Sequence, residues 1–208
     1  MNFDILISFV IATSALAISP GPDNIYVLMQ SLVHGKKYGL ATVAGLMTGC
    51  LIHTTLVAFG VSALIRANDS LFFILKLLGA IYLFYLAFKV FKSNAELSID
   101  NSNIPKKTTK QLFKQGFIMN VLNPKVSIFF LAFFPGFLFS ETLNTIIQFY
   151  ILGLLFMLVS FIIFASIAIL SGLISEYIKQ HKNVGVILKW LQIVVFVGIA
   201  IFILLSEK

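Results

Sequence analysis

Two long apolar runs are interrupted in mid-course by proline, and this limits the folds open to the chain more than any other feature. The first, Phe3–Leu32, contains Ser19-Pro20-Gly21-Pro22-Asp23-Asn24; the fourth, Leu112–Phe139, contains Asn123-Pro124-Lys125. Proline lacks a backbone donor, and its ring clashes with the carbonyl one turn back, so no α-helix passes either point intact. The flanks are too apolar for surface loops, yet a carboxylate follows one break and an ammonium the other. In hydrocarbon, unpaired backbone groups and charges are both expensive and persist only where they face protein or a wet cavity. The breaks therefore predict a polar site at membrane depth.

Six runs are long enough for a bilayer core of ~30 Å, which takes about 20 residues as helix. They are Phe3–Leu32, Gly39–Ile65, Leu71–Phe91, Leu112–Phe139, Leu143–Leu173 and Val184–Leu205. With 59% hydrophobic and 11% charged residues and a mean hydropathy of +1.01, the chain lacks the charge of a soluble domain, where about 25% is usual. The expected fold is an all-α integral membrane protein of six transmembrane helices, with helices 1 and 4 broken and the lipid bilayer as solvent. The net charge of +7 lies in short segments between runs, so it reads as membrane orientation and implies no nucleic-acid partner. Met1-Asn2-Phe3-Asp4 has no basic start and no cleavage site follows, unlike a signal peptide. The single cysteine, Cys50, excludes an internal disulfide and a dithiol electron carrier.

The polar stretch Ser93–Lys110 reads as the one linker. It divides the chain into a first transmembrane unit, 1–93, a cytoplasmic linker, 94–110, and a second unit, 111–208. A shift of 104 residues aligns Phe9 with Phe113, Pro20 with Pro124 and Gly49 with Gly153; a shift of 113 aligns Leu75-Lys76 with Leu188-Lys189. Three spans per unit is odd, so the units are expected as inverted repeats, and paired broken helices in such repeats point to a substrate site between them. Eleven lysines (36, 37, 89, 92, 106, 107, 110, 114, 179, 182 and 189) fall on one face, against Arg66, Lys76 and Lys208 on the other. The lysine-rich face is expected in the cytoplasm, with both termini outside.

The polar residues inside the spans are the candidate site. Asp23 can cap the restarted helix and can hold a cation or a proton. Lys125, thirteen residues past Leu112, lies ~20 Å along its span, too deep for easy snorkelling; it could pair with Asp23 or hold a substrate carboxylate. Asn24, Asn120 and Asn123 flank the breaks, where they can satisfy freed backbone groups or meet a ligand. Ala41, Gly45, Gly49 and His53 recur every four residues, a small-residue stripe that lets helices approach closely. His53 is either a packed, hydrogen-bonded histidine or a proton-coupling group. Gly79, Gly153 and Gly198 read as packing positions, and Tyr82, Tyr85, Tyr150 and Trp190 as packing or interface anchors. A divalent-cation exporter is the alternative, but Asp23, His53 and Cys50 fall short of the usual four donors. No HExxH, GxSxG or buried acid pair suggests an enzyme, and none implies a cofactor.

The segment Ser19 to Asn24, with Gly35-x-x-x-Gly39, Gly45-x-x-x-Gly49 and Leu78-Gly79-Ala80-Ile81-Tyr82-Leu83, resembles the first half of the LysE/RhtB amino-acid exporters. Gly116-Phe117, Asn120-x-x-Asn123-Pro124-Lys125 and Phe129-Phe130 resemble their fourth span. The resemblance implies a secondary exporter of amino acids or similar small metabolites from the bacterial cytoplasm, coupled to protons, as a homodimer in the cytoplasmic membrane. Substrate-binding residues are then expected at Ser19, Pro20, Gly21, Pro22, Asp23, Asn24, Asn120, Asn123, Pro124 and Lys125, with Asp23 and His53 in proton coupling.

Overall fold

The computed structural model describes residues 2–67, 69–93, 106–181 and 183–205. Residues 94–105 of the expected linker, together with Lys182 and Lys208, lie outside them. Among the described residues there is no β-strand.

Helix α1 (Phe3–Ile18) starts at Asn2, whose side chain accepts from the Asp4 N–H at 3.0 Å. It stops at Ser19, because Pro20 and Pro22 bring no donors. Helix α2 (Pro22–His34) begins with Pro22 in its first turn, where a missing N–H costs nothing. The two are bent by 61°. Gly35, at φ +100°, closes α2 in a conformation that favours glycine. Helix α3 (Lys36–Leu56) starts directly after it, three residues ahead of the expected Gly39, and continues through a π turn, Val57–Val61, into α4 (Ser62–Ala67). Helix α5 spans Asp69–Lys92.

Helix α6 (Thr109–Val121) begins inside the segment expected as linker. Thr108 Oγ1 accepts from the Gln111 N–H at 3.2 Å while Gln111 Oε1 accepts from the Thr108 N–H at 2.9 Å, a reciprocal cap. Asn123 then opens α7 (Pro124–Ile128), its Oδ1 accepting from the Lys125 N–H at 3.0 Å. A π turn, Phe129–Phe133, and a 3-10 turn, Phe134–Phe137, complete this arm, which is bent by 50° from α6. Helices α8 (Thr145–Ile169), α9 (Ser171–Gln180) and α10 (Val184–Leu205) follow. Buried Gln148 ties the turn ahead of α8. Its Oε1 accepts from the Phe139 and Ser140 N–H groups, and its Nε2 donates to the Ser140 and Leu143 carbonyls, all within 3.0 Å.

Among the described residues, four helices are long and apolar enough to cross a membrane: Lys36–Leu64, Ser70–Lys92, Thr145–Ile169 and Val184–Leu205. The bent pairs α1–α2 and α6 with the 124–137 arm each qualify as one broken span. Large apolar side chains such as Phe73, Leu154 and Leu158 stand exposed on the outer surface, as lipid requires. The chain is an all-helical, multi-pass membrane protein.

The interior is aromatic. Phe130 stacks on Phe134 with centroids 4.1 Å apart and Phe129 on Phe133 at 4.4 Å, while Phe9 meets Phe134 edge-on at 5.1 Å. Lipid tails are as apolar as these rings, so association here relies on close packing rather than on escape from water. The glycine stripe supplies the closest approach. A methyl group on Gly45 would run into the Phe113 carbonyl of α6, and one on Gly116 into the Thr42 carbonyl of α3. Gly79 faces Ala132 and Gly153 faces Thr54 with as little room. Gly198 differs from expectation: it is exposed, with nothing within 4 Å of where a Cβ would stand, because it lies on the outer side of α10. Lys76, counted with Arg66 on the lysine-poor face, is buried in α5 near the Phe72 ring.

Candidate functional site

The two breaks meet. Asn123 Nδ2 donates to Asp23 Oδ2 at 2.8 Å, joining the start of α2 to the start of α7. Each asparagine also mends its own break. Asn24 Nδ2 donates to the Ala17 carbonyl at 2.7 Å, one of those left open where α1 ends. Asn123 caps α7 with Oδ1 and holds Asp23 with Nδ2.

The Lys125 ammonium bonds the Ser19 carbonyl at 3.5 Å and lies over the Phe196 ring, 5.1 Å from its centroid. It reaches the backbone of the facing break rather than the Asp23 carboxylate. A cation held by a carbonyl and an aromatic face keeps donors to spare for an anion.

His53 stands behind the second break. Pro124 lacks the N–H that would meet the Asn120 carbonyl in a continuous helix. That carbonyl instead receives the Asn123 N–H at 3.0 Å and His53 Nε2–H at 3.1 Å. The acceptor fixes which ring nitrogen carries the proton. The Asn120 side chain donates from Nδ2 to Cys50 Sγ at 3.4 Å, and its Oδ1 is buried with no partner in the protein.

These groups border a cavity of about 40 Å³. Asp23, Asn24, Asn120, Asn123 and Lys125 form its polar side, and Leu16, Leu46, Val126, Phe156 and Phe164 its apolar walls. That volume accommodates water, and is far below the roughly 300–1,000 Å³ of ligand pockets. Phe156 also packs on Phe130 at 4.9 Å, so the aromatic core closes the cavity on that side. Gly21 and Pro22 line the cavity as well. Ser19, Pro20, Pro124 and His53 do not: Ser19 is buried at the break, Pro20 faces an apolar groove beside α8, Pro124 is exposed, and His53 sits behind Asn120. Cys50 and Ser160 line the cavity without having stood out as binding residues. Cys50 falls one residue past Gly49 in the stripe, and Ser160 is a lone hydroxyl between Phe156 and Phe164, each four residues away. Among the described residues no three His, Cys, Asp or Glu side chains converge, so the divalent-cation reading has no donor set.

A multi-pass bundle whose two broken helices meet around a small cavity with one polar side is the architecture of a membrane carrier. The sequence matches the LysE type translocator family over residues 14–207, and the chain belongs to that family. It is 30% identical over 183 residues to the homoserine/homoserine lactone efflux protein of Salmonella typhimurium, covering 88% of each chain, and equally to that of Salmonella typhi. It is 29% identical over 195 residues to the leucine efflux protein of Klebsiella pneumoniae, covering 93% of this chain and 92% of the other. These relatives are efflux proteins, not enzymes. No solved structure matches the chain.

Proposed function

We propose that the protein exports amino acids or closely related small metabolites across the bacterial cytoplasmic membrane by exchange with protons. The observation that carries this is the Asp23–Asn123 bond with Lys125 alongside: an acid and a base held at facing helix breaks on the polar side of a small cavity. An amino acid offers the complementary pair. Its ammonium suits the Asp23 carboxylate, and its carboxylate suits Lys125 together with the free N–H groups and positive dipole end of α2. Substrate contacts are assigned to Gly21, Pro22, Asp23, Asn24, Asn120, Asn123 and Lys125, with Ser19, Pro20 and Pro124 shaping the breaks. Efflux of homoserine by one relative and of leucine by another supports an amino-acid substrate and leaves its side chain open.

In this reading Asp23 releases the substrate when it takes up a proton from outside, and the proton leaves toward the cytoplasm. His53 acts on coupling through the Asn120 carbonyl it holds. The bent pairs count as spans one and four of six, and units 1–93 and 111–208 act as inverted repeats around the cavity, joined by the cytoplasmic linker 94–110. The lysine-rich face lies inside and both termini outside, and the carrier works as a homodimer.

The test is flux from proteoliposomes loaded with a mixed amino-acid pool, with and without an imposed pH gradient. Depletion of one or a few compounds, accelerated by the gradient, is expected. Flux of none, or flux indifferent to the gradient, overturns the reading.

A further inference from the structure

Many hydroxyls within these helices return to the carbonyl one turn back: Ser14, Ser31, Thr48, Thr54 and Ser166 each do so at 2.8 Å. A set of side-chain atoms departs from this habit. Tyr26 Oη, Gln30 Oε1 and His34 Nε2 are buried with no hydrogen-bond partner in the protein. All three lie on α2. With Asp23 they fall at spacings of three, four and four residues, which places them on one face of the helix. Ser31, off that face, is satisfied by the Val27 carbonyl. Three further unpartnered atoms, Ser19 Oγ, Asn120 Oδ1 and Ser160 Oγ, lie at the break and the cavity where the row begins.

An unpaired buried polar atom is costly, and three in line on one helix face are hard to explain as packing. The distances suit water. Four residues of helix rise ~6 Å, close to the span of two consecutive hydrogen bonds of ~2.8 Å through a single water. From Asp23 to His34 the rise is ~16 Å, about half of a ~30 Å bilayer core. The row thus runs from the cavity to the membrane surface where Gly35, Lys36 and Lys37 emerge.

We propose that Tyr26, Gln30 and His34 carry a file of water that conducts protons between Asp23 and the lysine-rich face. The proposal rests on the proton-exchange reading above. Hydroxyl, amide and imidazole groups all accept hydrogen bonds, as a relay of water requires. Among the described residues, the charged or titratable neighbours named here stand at the two ends, are exposed or are bonded elsewhere. Asp23, Lys125 and Cys50 stand at the cavity, with His53 behind it held to the Asn120 carbonyl. The Tyr38 ring lies 5.8 Å from that of His34, and Lys36 and Lys37 are exposed beside it. Among the elements packed on α2, α6 carries Lys110 and Lys114 and α9 carries Glu176 and Tyr177, all exposed, while Tyr150 of α8 is bonded to Thr55 at 3.3 Å.

The test uses the full chain in proteoliposomes. A mixed amino-acid pool containing L-homoserine and L-leucine drives net efflux, read with a trapped pH dye, and labelled pools at equal concentration on both sides report exchange. Gln30→Leu is expected to slow net proton-coupled efflux by about tenfold or more, the equivalent of one lost hydrogen bond to a buried group, with exchange unchanged. Gln30→Glu, which keeps the accepting oxygen, is expected to restore it. Loss of both activities together, or of neither, overturns the passage. Absence of any proton movement in the unsubstituted protein removes the proton-exchange reading itself, and the conduction role with it. A second measurement needs no variant. Radicals generated from water by brief irradiation are expected to mark Tyr26 well above Phe129 of the sealed aromatic core. Equal, background-level marking of the two overturns the proposal.

Discussion

Asn123 and Asp23 lie 100 residues apart in the chain and 2.8 Å apart in space, amide to carboxylate. One residue thereby reads the charge of the first break and caps the helix of the second. Any change of charge on Asp23 is felt directly where α7 begins.

Asp23→Asn keeps the size of the side chain and removes its charge. Net export in proteoliposomes is expected to fall by about 10- to 100-fold, the worth of a hydrogen bond to a charged group, with the protein still monodisperse in detergent. Export at the unsubstituted rate would exclude a carboxylate role.

The Lys125 ammonium is held by the Ser19 carbonyl and the Phe196 ring. Lys125→Ala is therefore expected to leave the bundle folded and to weaken binding of an amino acid by about tenfold or more. Binding of the corresponding amine, which lacks the carboxylate, is expected to be unaffected. Equal losses for both ligands would place the lysine elsewhere in the cycle.

His53→Ala deprives the Asn120 carbonyl of one donor. The expected result is a loss of roughly 1–3 kcal/mol in thermal or denaturant stability, partly recovered in His53→Gln, which can still donate. A fully stable alanine variant would show that the Asn123 N–H alone is enough for that carbonyl.

Gly45→Ala and Gly116→Ala each push a methyl group into the backbone of the other helix. Each is expected to destabilise by roughly 1–3 kcal/mol. Gly172→Ala on α9, with nothing within 4 Å, is expected to change stability by less than ~0.5 kcal/mol. Comparable melting temperatures for all three would contradict the close crossing.

The breaks were legible because proline and glycine act on the backbone wherever they stand, and the spans because hydrocarbon thickness fixes helix length. The stripe from Gly45 to His53 was legible through its four-residue period. Which side of each elbow faces the cavity was not: Pro20 and Pro124 turn away from it while Gly21 and Lys125 face it, and only the bend decides that. The π turns at Val57–Val61 and Phe129–Phe133 contain no proline to announce them. Gln148 and Ser160 were silent for another reason, since a single polar residue in an apolar run looks the same whether it ties a turn, lines a cavity or faces lipid. The row along α2 was hidden by chemistry, because Tyr26, Gln30 and His34 belong to no one residue class.

Where α3 crosses α6, peptide meets peptide at Gly45 and Gly116, with no flexible group between them to yield. Two rods clamped in this way travel together. In the exchange proposed above, opening of the cavity to a solute falls to the elbows at Ser19–Pro22 and Asn123–Pro124, because the crossing leaves neither rod room to yield.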